Sequence, residues 1–561
     1  MNINESHWFW GAVKSQKSQY IQVIIASIFI NIFALVSAFY VMTVYDRVIP
    51  NDARESLLAL TLGVLIIIFF DFVMKSLRGS FTDKAGSAID KTVGERLFDH
   101  LARNYNLVSQ RQVGAVSSTV REFEQLKEFI SSASFTAFVD FPFILLFVFV
   151  LWNLGGPIAV VPGVIVLAVI AVSLGVQPLI RKVAQQGMVE NQSKQGVLVE
   201  LLTGMETAKT LPGLGVLRDR WLGSVERQST QTTRSKGFSL LATNAAQTGQ
   251  QLCQVGVVAY GVLLIAEGSL TMGSLIACVI LGGRTLAPLA QITGLINRYS
   301  QAKSAYQALD QMFQVEDREE QAQEFIRRAD CNGALEFRST SLAYPKAGRP
   351  ALDSVDLAIA PGQKMGVVGP IGSGKTSLLR IASGLIEPTS GQVLVGGIDV
   401  THWHPDDLRQ QVGIITQTPT LFTGTVAENI RLGNPGASDE EVIAAAEMAG
   451  VGDFVNQLEN GLDTHLFERG AQLSGGQRQA ICIARAVVGD PKILIMDEPT
   501  SSLDNASEQR LVERLAPWVK ERTLVVITHR APMLALVSDI AVIEAGKITS
   551  IQPKSKVIKS A

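Results

Sequence analysis

Six runs of about twenty mostly apolar residues crowd the first half of this 561-residue chain: Tyr20–Val44, Leu57–Leu77, Ala133–Trp152, Pro157–Leu179, Gln247–Ala266 and Met272–Ile296. Nothing else in the sequence limits its fold as strongly. Hydrocarbon offers no water to an unpaired N–H or C=O, so such a segment crosses a bilayer as a helix closed by its own hydrogen bonds. Composition agrees: 18% of the residues are charged, where a soluble protein carries roughly 25%. The expected fold of residues 20–313 is a six-span helical membrane domain with the lipid bilayer as its surroundings.

The connections predict the orientation. Tyr45–Asn51, Asn153–Pro157 and Glu267–Thr271 are short and carry little positive charge. The other two are long and basic, from Lys75 through Arg78, Lys84, Lys91, Arg96, Arg103, Arg111 and Arg121 to Lys127, and from Arg181 to Lys236. Basic loops stay in the cytoplasm, so both termini are expected there as well. These loops read as helical extensions of spans two to five, with transverse helices at their tips and a bend at Leu211–Gly215. Residues 1–19 read as a short cytoplasmic segment. The first apolar run is too long for a signal peptide and lacks its cleavage site, so it is expected to remain as an anchor. Cys253, Cys278, Cys331 and Cys482 lack metal-type spacing and read as buried thiols. A net charge of −2 gives no field that would draw nucleic acid.

A hydrophilic linker, 314–332, leads to a second domain at 333–561. There the strand-like runs Leu335–Phe337, Lys364–Val368, Ile493–Met496 and Leu524–Ile527 lead into polar loops and helices, the pattern of an α/β nucleotide-binding core. Gly369, Ile371, Gly372, Ser373, Gly374, Lys375 and Thr376 lie on a loop of the form GxxxxGK followed by Ser or Thr, and Ser377 continues into a helix. Such a loop closes backbone N–H groups on phosphate oxygens, neutralises them with Lys375 and offers Thr376 to Mg²⁺. Asp497 ends an apolar strand and is expected to hold Mg²⁺. Glu498 follows as general base for the attacking water, and His529, at the end of the next strand, is placed to contact the γ-phosphate. Tyr344 is a candidate to stack on the base or, alternatively, a packed tyrosine.

Ser474, Gly475, Gly476 and Gln477 open another helix, and helix starts bind anions. The domain already has a complete phosphate site at Lys375. A second one is best explained by a head-to-tail homodimer, in which each nucleotide lies between one copy's phosphate loop and the other's Ser474 segment. Asp504 is expected at that seam.

Leu473–Gln477 reads LSGGQ and precedes a strand ending in Asp497-Glu498; together with the phosphate loop it resembles the ATP-binding-cassette (ABC) proteins. The resemblance implies an α/β ABC ATPase fused to an exporter domain, ATP as the nucleotide, Gln417 as a sensor of Mg²⁺, and Glu468–Gly470 as a cross-coupling loop. The membrane half is similar to type I secretion transporters, the haemolysin- and adhesin-exporting class, at Val44–Asn51, Asp140–Phe143, Glu206–Lys209 and Gly283–Gln291, running on to Arg298-Tyr299. That likeness implies export of a large unfolded polypeptide of the RTX type from the bacterial inner membrane through a periplasmic adaptor and an outer-membrane channel. Many members carry a peptidase-like domain ahead of the first span; only about twenty residues stand there in this sequence, so leader cleavage is not expected. The alternatives are a lipid or drug exporter of the same fold, and an ATP-gated membrane regulator that transports nothing.

Three ionisable residues stand out inside the apolar runs: Asp71, Asp140 and Arg284. Such groups are costly in hydrocarbon and usually functional. All three count to the same inner layer. Arg284 is expected to pair with one of the aspartates, or the three to line the polypeptide entrance, unless they reach the interface on their own stems. Pro288 is expected to kink the sixth span.

Overall fold

The computed structural model describes residues 7–104, 113–131, 133–314, 325–345 and 347–557. It divides into two compact units, Met1–Asp317 and Arg318–Ala561. Arg111 of the basic loop and most of the expected linker, 315–324, lie outside the described residues.

The first unit is helical: α1 (Trp10–Ser15), α2 (Lys17–Thr43), α3 (Arg54–Arg103), α4 (Val113–Ser131), α5 (Ala133–Asp140), α6 (Phe143–Gly155), α7 (Val160–Thr203), α8 (Met205–Thr210), α9 (Leu214–Ala266), α10 (Met272–Leu286) and α11 (Leu289–Phe313). Lys17–Val48, Arg54–Arg103, Thr136–Thr203 and Leu214–Ala266 are long and apolar enough to cross a membrane, and Met272–Leu286 is a shorter apolar helix. The 50 residues of α3 span about 75 Å at the helical rise. That is more than twice the roughly 30 Å of hydrocarbon, so α3, and likewise α7 and α9, runs well beyond a bilayer core. The third and sixth apolar runs are each broken in two, at Phe141-Pro142 and at Ala287-Pro288. Proline lacks the N–H that would continue the ladder, and its ring crowds the preceding turn. Leu58, Phe69, Leu145, Leu167 and Leu263 stand exposed, as lipid-facing side chains must. Inside, Phe147, Leu151, Ile158, Val257 and Leu281 form the apolar centre. α9 comes close to α7 because Gly249 and Gly256 have no side chain: a Cβ would sit 2.8 Å from Val169 Cγ2 and 2.9 Å from Val161 Cγ1.

Polar contacts join distant parts of this unit. After α2 the chain widens into a single π-turn, Val44–Val48. This brings Asp46 to the start of α10, where its carboxylate accepts from Thr271 Oγ1 at 2.6 Å and from the Gly273 N–H at 2.8 Å. The N-terminal segment is also tied down. Trp8 stacks on Phe313 at 4.7 Å, and its Nε1 donates to Asp310 Oδ1 at 3.0 Å.

The expected pairing of Arg284 with an aspartate is not found. Asp140 instead pairs with Arg78, whose Nη1 donates to Asp140 Oδ2 at 2.9 Å and to Ser27 Oγ at 3.2 Å, and Asn31 Nδ2 donates to Asp140 Oδ1 at 3.1 Å. Arg78 lies one residue past the second apolar run, and its long stem carries the guanidinium back to the carboxylate of Asp140, the last residue of α5. Asp71 takes its neighbour one turn on, Lys75, at 2.6 Å. Arg284 is exposed on α10 and makes no hydrogen bond or ion pair among the described residues.

The second unit holds two main sheets. One is antiparallel, in the order β2 (Leu352–Ile359), β1 (Leu335–Leu342), β4 (Ser390–Val395), β5 (Ile398–Asp399). The other runs β12 (Lys547–Pro553), β11 (Asp539–Glu544), β3 (Lys364–Val368), β10 (Thr523–Ile527), β9 (Ile493–Asp497), β6 (Val412–Ile415), with β12 alone antiparallel. A short pair, β7 (Gly424–Thr425) and β8 (His465–Leu466), completes the strands. Every residue of β9 and β10 is buried, as parallel strands covered on both faces require. Helices of this unit include α12 (Lys375–Ala382), α13 (Asp439–Met448), α14 (Gly475–Val487) and α15 (Asn505–Val519), of which α12, α14 and α15 carry expected site residues at or beside their starts. The loops after β3, β10, β9 and β6 leave four neighbouring strands at their carboxyl ends. They therefore gather along one edge, where open parallel sheets bind ligands.

Candidate nucleotide site

The loop after β3 carries the residues expected to bind phosphate. Gly372 and Gly374 have φ of 80° and 106°, and Gly374 leads directly into α12. A Cβ at Gly374 would lie 2.4 Å from the Ala351 carbonyl, so both the backbone angle and the space demand glycine. Ile371 stands fully exposed at the loop's tip. Ser373 is buried, and its Oγ has no hydrogen-bond partner among the described residues. Lys375 Nζ donates to the Gly369 and Pro370 carbonyls at 2.6 and 2.8 Å. Burial pulls the Lys375 ammonium below the ordinary lysine range, while Asp497 and Glu498 act the other way.

Thr376 Oγ1 donates to Asp497 Oδ2 at 2.8 Å, which joins the start of α12 to the end of β9. Asp497 is 3% exposed. Burial raises its carboxyl above the usual range, against the lowering effect of the Thr376 hydrogen bond, Lys375 and Arg380. A hydroxyl and a buried carboxylate converging beside a lysine fit a divalent cation bound with phosphate. Tyr344 sits half-buried. Its hydroxyl lies 3.3 Å from Ser377 Oγ and accepts from Arg380 Nη1 at 3.1 Å.

Glu498 departs from strand geometry: its φ of 46° is left-handed, and its N–H donates to the Ile527 carbonyl at 2.8 Å. A strained backbone of this kind persists only where the surroundings enforce it. Glu498 Oε2 accepts from Thr528 Oγ1 at 3.3 Å. His529 follows Thr528 and is exposed, as is Gln417 beyond β6; neither makes a side-chain hydrogen bond among the described residues.

Ser474 caps α14. Its Oγ accepts from the Gln477 N–H at 3.3 Å, and Gln477 Oε1 accepts from the Ser474 N–H at 2.8 Å. The glutamine thus fixes the serine, and the glycines between them leave the helix start open. Cβ atoms on Gly475 and Gly476 would sit 3.1 Å from Ser502 Cβ and 2.9 Å from Leu503 Cδ2, so the segment rests on the loop that ends at Asp504. Asp504 caps α15 by accepting from the Ser507 N–H and Oγ, both at 2.9 Å, and these bonds hold its carboxyl below the usual range. Arg469, in the expected cross-coupling loop, has a left-handed φ of 57°. None of Ser474–Gln477 bonds to the phosphate loop of the same copy among the described residues. Thr528 escaped the sequence reading, although its place between a buried strand and His529 was a usable signal.

The ABC transporter family model matches residues 352–501, and that of the ABC transporter transmembrane region matches 20–285. Across 561 residues the chain is 32% identical to the alpha-hemolysin translocation ATP-binding protein HlyB of Escherichia coli, over 99% of this chain and 78% of that one. The chain belongs to the ABC exporters. Within them it is homologous to the ABC proteins of type I secretion. The exotoxin translocation protein PaxB of Pasteurella aerogenes is 31% identical with the same coverage, and the leukotoxin translocation protein LktB of Mannheimia glucosida is 32% identical over 96% of this chain and 76% of that one. The fold matches a bacterial Atm1-family ABC exporter with ATP bound, at a TM-score of 0.82 and 22% identity over 97% of this chain and 96% of that one. This exporter is therefore a multi-pass membrane protein with an ATPase domain, and it couples ATP hydrolysis to transport.

Proposed function

We propose that this exporter moves a large, unfolded polypeptide across the bacterial inner membrane as the ABC component of a type I secretion system. The observation that carries this reading is the extent of the similarity. Identity with toxin-translocation proteins runs through 99% of the chain, membrane half included, where cargo rather than ATP is handled. Both termini lie in the cytoplasm, and a periplasmic adaptor and an outer-membrane channel continue the route. Arg284, exposed beside the Pro288 break and without an ion-pair partner among the described residues, is placed to meet the cargo.

The working unit is a homodimer. Lys375 and the N–H groups of the phosphate loop hold the ATP phosphates of one site, Tyr344 bounds the base, and Ser474, Gly475 and Gly476 of the second copy close over the γ-phosphate. Thr376, Asp497 and Gln417 would hold Mg²⁺, which when bound neutralises charge on the β- and γ-phosphates. Glu498 orients the attacking water and accepts its proton, and His529 keeps the γ-phosphate in line with that water.

The test compares the secreted and surface proteomes of cells carrying wild type or Glu498→Gln. Loss of one or a few large proteins from the exterior, with retention inside, supports secretion and names the cargo. With the cargo genes expressed, an unchanged exterior would refute it and turn attention to lipids or small molecules.

A further inference from the structure

The loop that follows Glu498 is held from beneath by a buried carboxylate for which the nucleotide chemistry has no use. Glu508, on α15, is 1% exposed. Its Oε1 accepts from Thr500 Oγ1 at 2.7 Å, and its Oε2 accepts from Arg530 Nη1 at 3.0 Å. The same nitrogen of Arg530 donates to the Leu503 carbonyl at 2.9 Å. Two residues earlier in the chain, Thr528 Oγ1 accepts from the Arg530 N–H at 3.1 Å and donates to Glu498 Oε2 at 3.3 Å.

These bonds form a closed circuit. Glu498, Thr500 and Leu503 lie on the loop; Thr528 and Arg530 flank His529; Glu508 joins the two. An unpaired carboxylate at this depth would be strongly destabilising, so its position fixes that of Arg530. Thr500, Thr528 and Glu508 are buried, whereas the Arg530 side chain reaches partly into solvent. Glu498, at the head of the loop, holds the left-handed backbone noted above, and a strained residue needs such an anchor. At the other end of the loop, Ser502 and Leu503 support Gly475 and Gly476. One set of contacts thus links the Ser474–Gly476 segment to the residues on either side of His529.

We propose that Glu508 and Arg530 are positioning residues that join the Thr500–Asp504 loop to His529, so that closure at one ATP site sets the geometry of the other. The proposal rests on the roles assigned above to Glu498, His529 and Asp504. Neither Glu508 nor Arg530 is among the residues assigned above to the nucleotide.

The test uses the full chain in lipid nanodiscs. Glu508→Gln keeps an acceptor for Thr500 but removes the charge facing Arg530. A misplacement of about 1 Å costs about 10²-fold in turnover, so kcat for ATP should fall by about that factor while KM changes little. Wild type should hydrolyse ATP with a Hill coefficient above one, and Glu508→Gln with a coefficient of one. Arg530→Lys, which keeps the charge and enough donors, should recover most of kcat, and Arg530→Gln should not. Wild-type kcat in Glu508→Gln, a Hill coefficient of one in the wild type, or loss of nucleotide binding together with kcat would each overturn the proposal, the last by reducing the pair to a fold support. Glu498→Gln separates the two readings. If it retains full turnover, the site assignment itself fails; if it is inactive while Glu508→Gln is normal, only the coupling fails.

Discussion

Asp140 and Arg78 show what a single side chain contributes inside a membrane domain. Their side chains are 24% and 17% exposed. The penalty for breaking the pair therefore stays below the roughly 3–5 kcal/mol of a fully buried one. We expect Asp140→Asn and Arg78→Gln each to lower the unfolding midpoint of the purified exporter, and the double variant to lose clearly less than their sum. Strict additivity in that cycle would show that the two side chains act independently. In the ATPase unit, Asp453 accepts from both terminal nitrogens of Arg514, at 3.0 and 2.9 Å, and the bonds hold its carboxyl below the usual range. A depressed carboxylate stabilises the fold above its unfolded value and loses that contribution as pH falls through its folded one. Asp453→Asn should therefore cost about 0–1 kcal/mol of stability at pH 7 for so exposed a pair, and lower the melting temperature slightly. The difference should vanish under acid conditions below the ordinary aspartate range; a gap that widens with acidification would contradict this. Most residues proposed for the chemistry were readable in the sequence because they sit within short contiguous motifs. Their supports were not. Arg78 and Asp140 are 62 positions apart, Arg530 and Glu508 are 22 apart, and Asp46 and Gly273 are 227 apart. Only the fold brings such pairs together.

At the scale of elements, helix breaks and helix starts do the organising. The proline interruptions could be anticipated at Pro288 and, in hindsight, at Pro142, since the ring's conflict with the ladder is local. The π-turn at Val44–Val48 could not, because a one-residue widening leaves no compositional trace. Its effect is to aim Asp46 at α10. A Cβ on Gly273 would lie 2.5 Å from the Met42 carbonyl and 2.6 Å from Asp46 Cγ. Gly273→Ala should therefore destabilise the membrane unit by about 1–3 kcal/mol through overpacking, and Gly273→Val by more. Asp46→Asn, which keeps an acceptor, should be milder than either. Denaturant midpoints of the three purified proteins would test the order, and a Gly273→Ala protein as stable as wild type would mean that the two helices do not meet this closely.

For the whole molecule, the decisive question is which signature serves which nucleotide. We expect Lys375→Ala and Ser474→Arg to behave differently according to how they are distributed. A dimer with one change in each copy keeps one intact site, formed by the unaltered loop of one copy and the unaltered Ser474 of the other. A dimer with both changes in one copy keeps none. Vanadate trapping of labelled nucleotide in purified, doubly tagged heterodimers should give about half the wild-type signal in the first case and background in the second; equal trapping in both would exclude shared sites. The Asp46 contact has a mechanical corollary. It fastens the first long helix of the membrane unit to the last apolar one, at the end that faces outward in the proposed orientation, and so turns a row of helices into a hoop. A hoop does not open at its own rivet. An exit for the proposed cargo would then part along another seam, and a covalent staple across Asp46 and Thr271 should leave transport running.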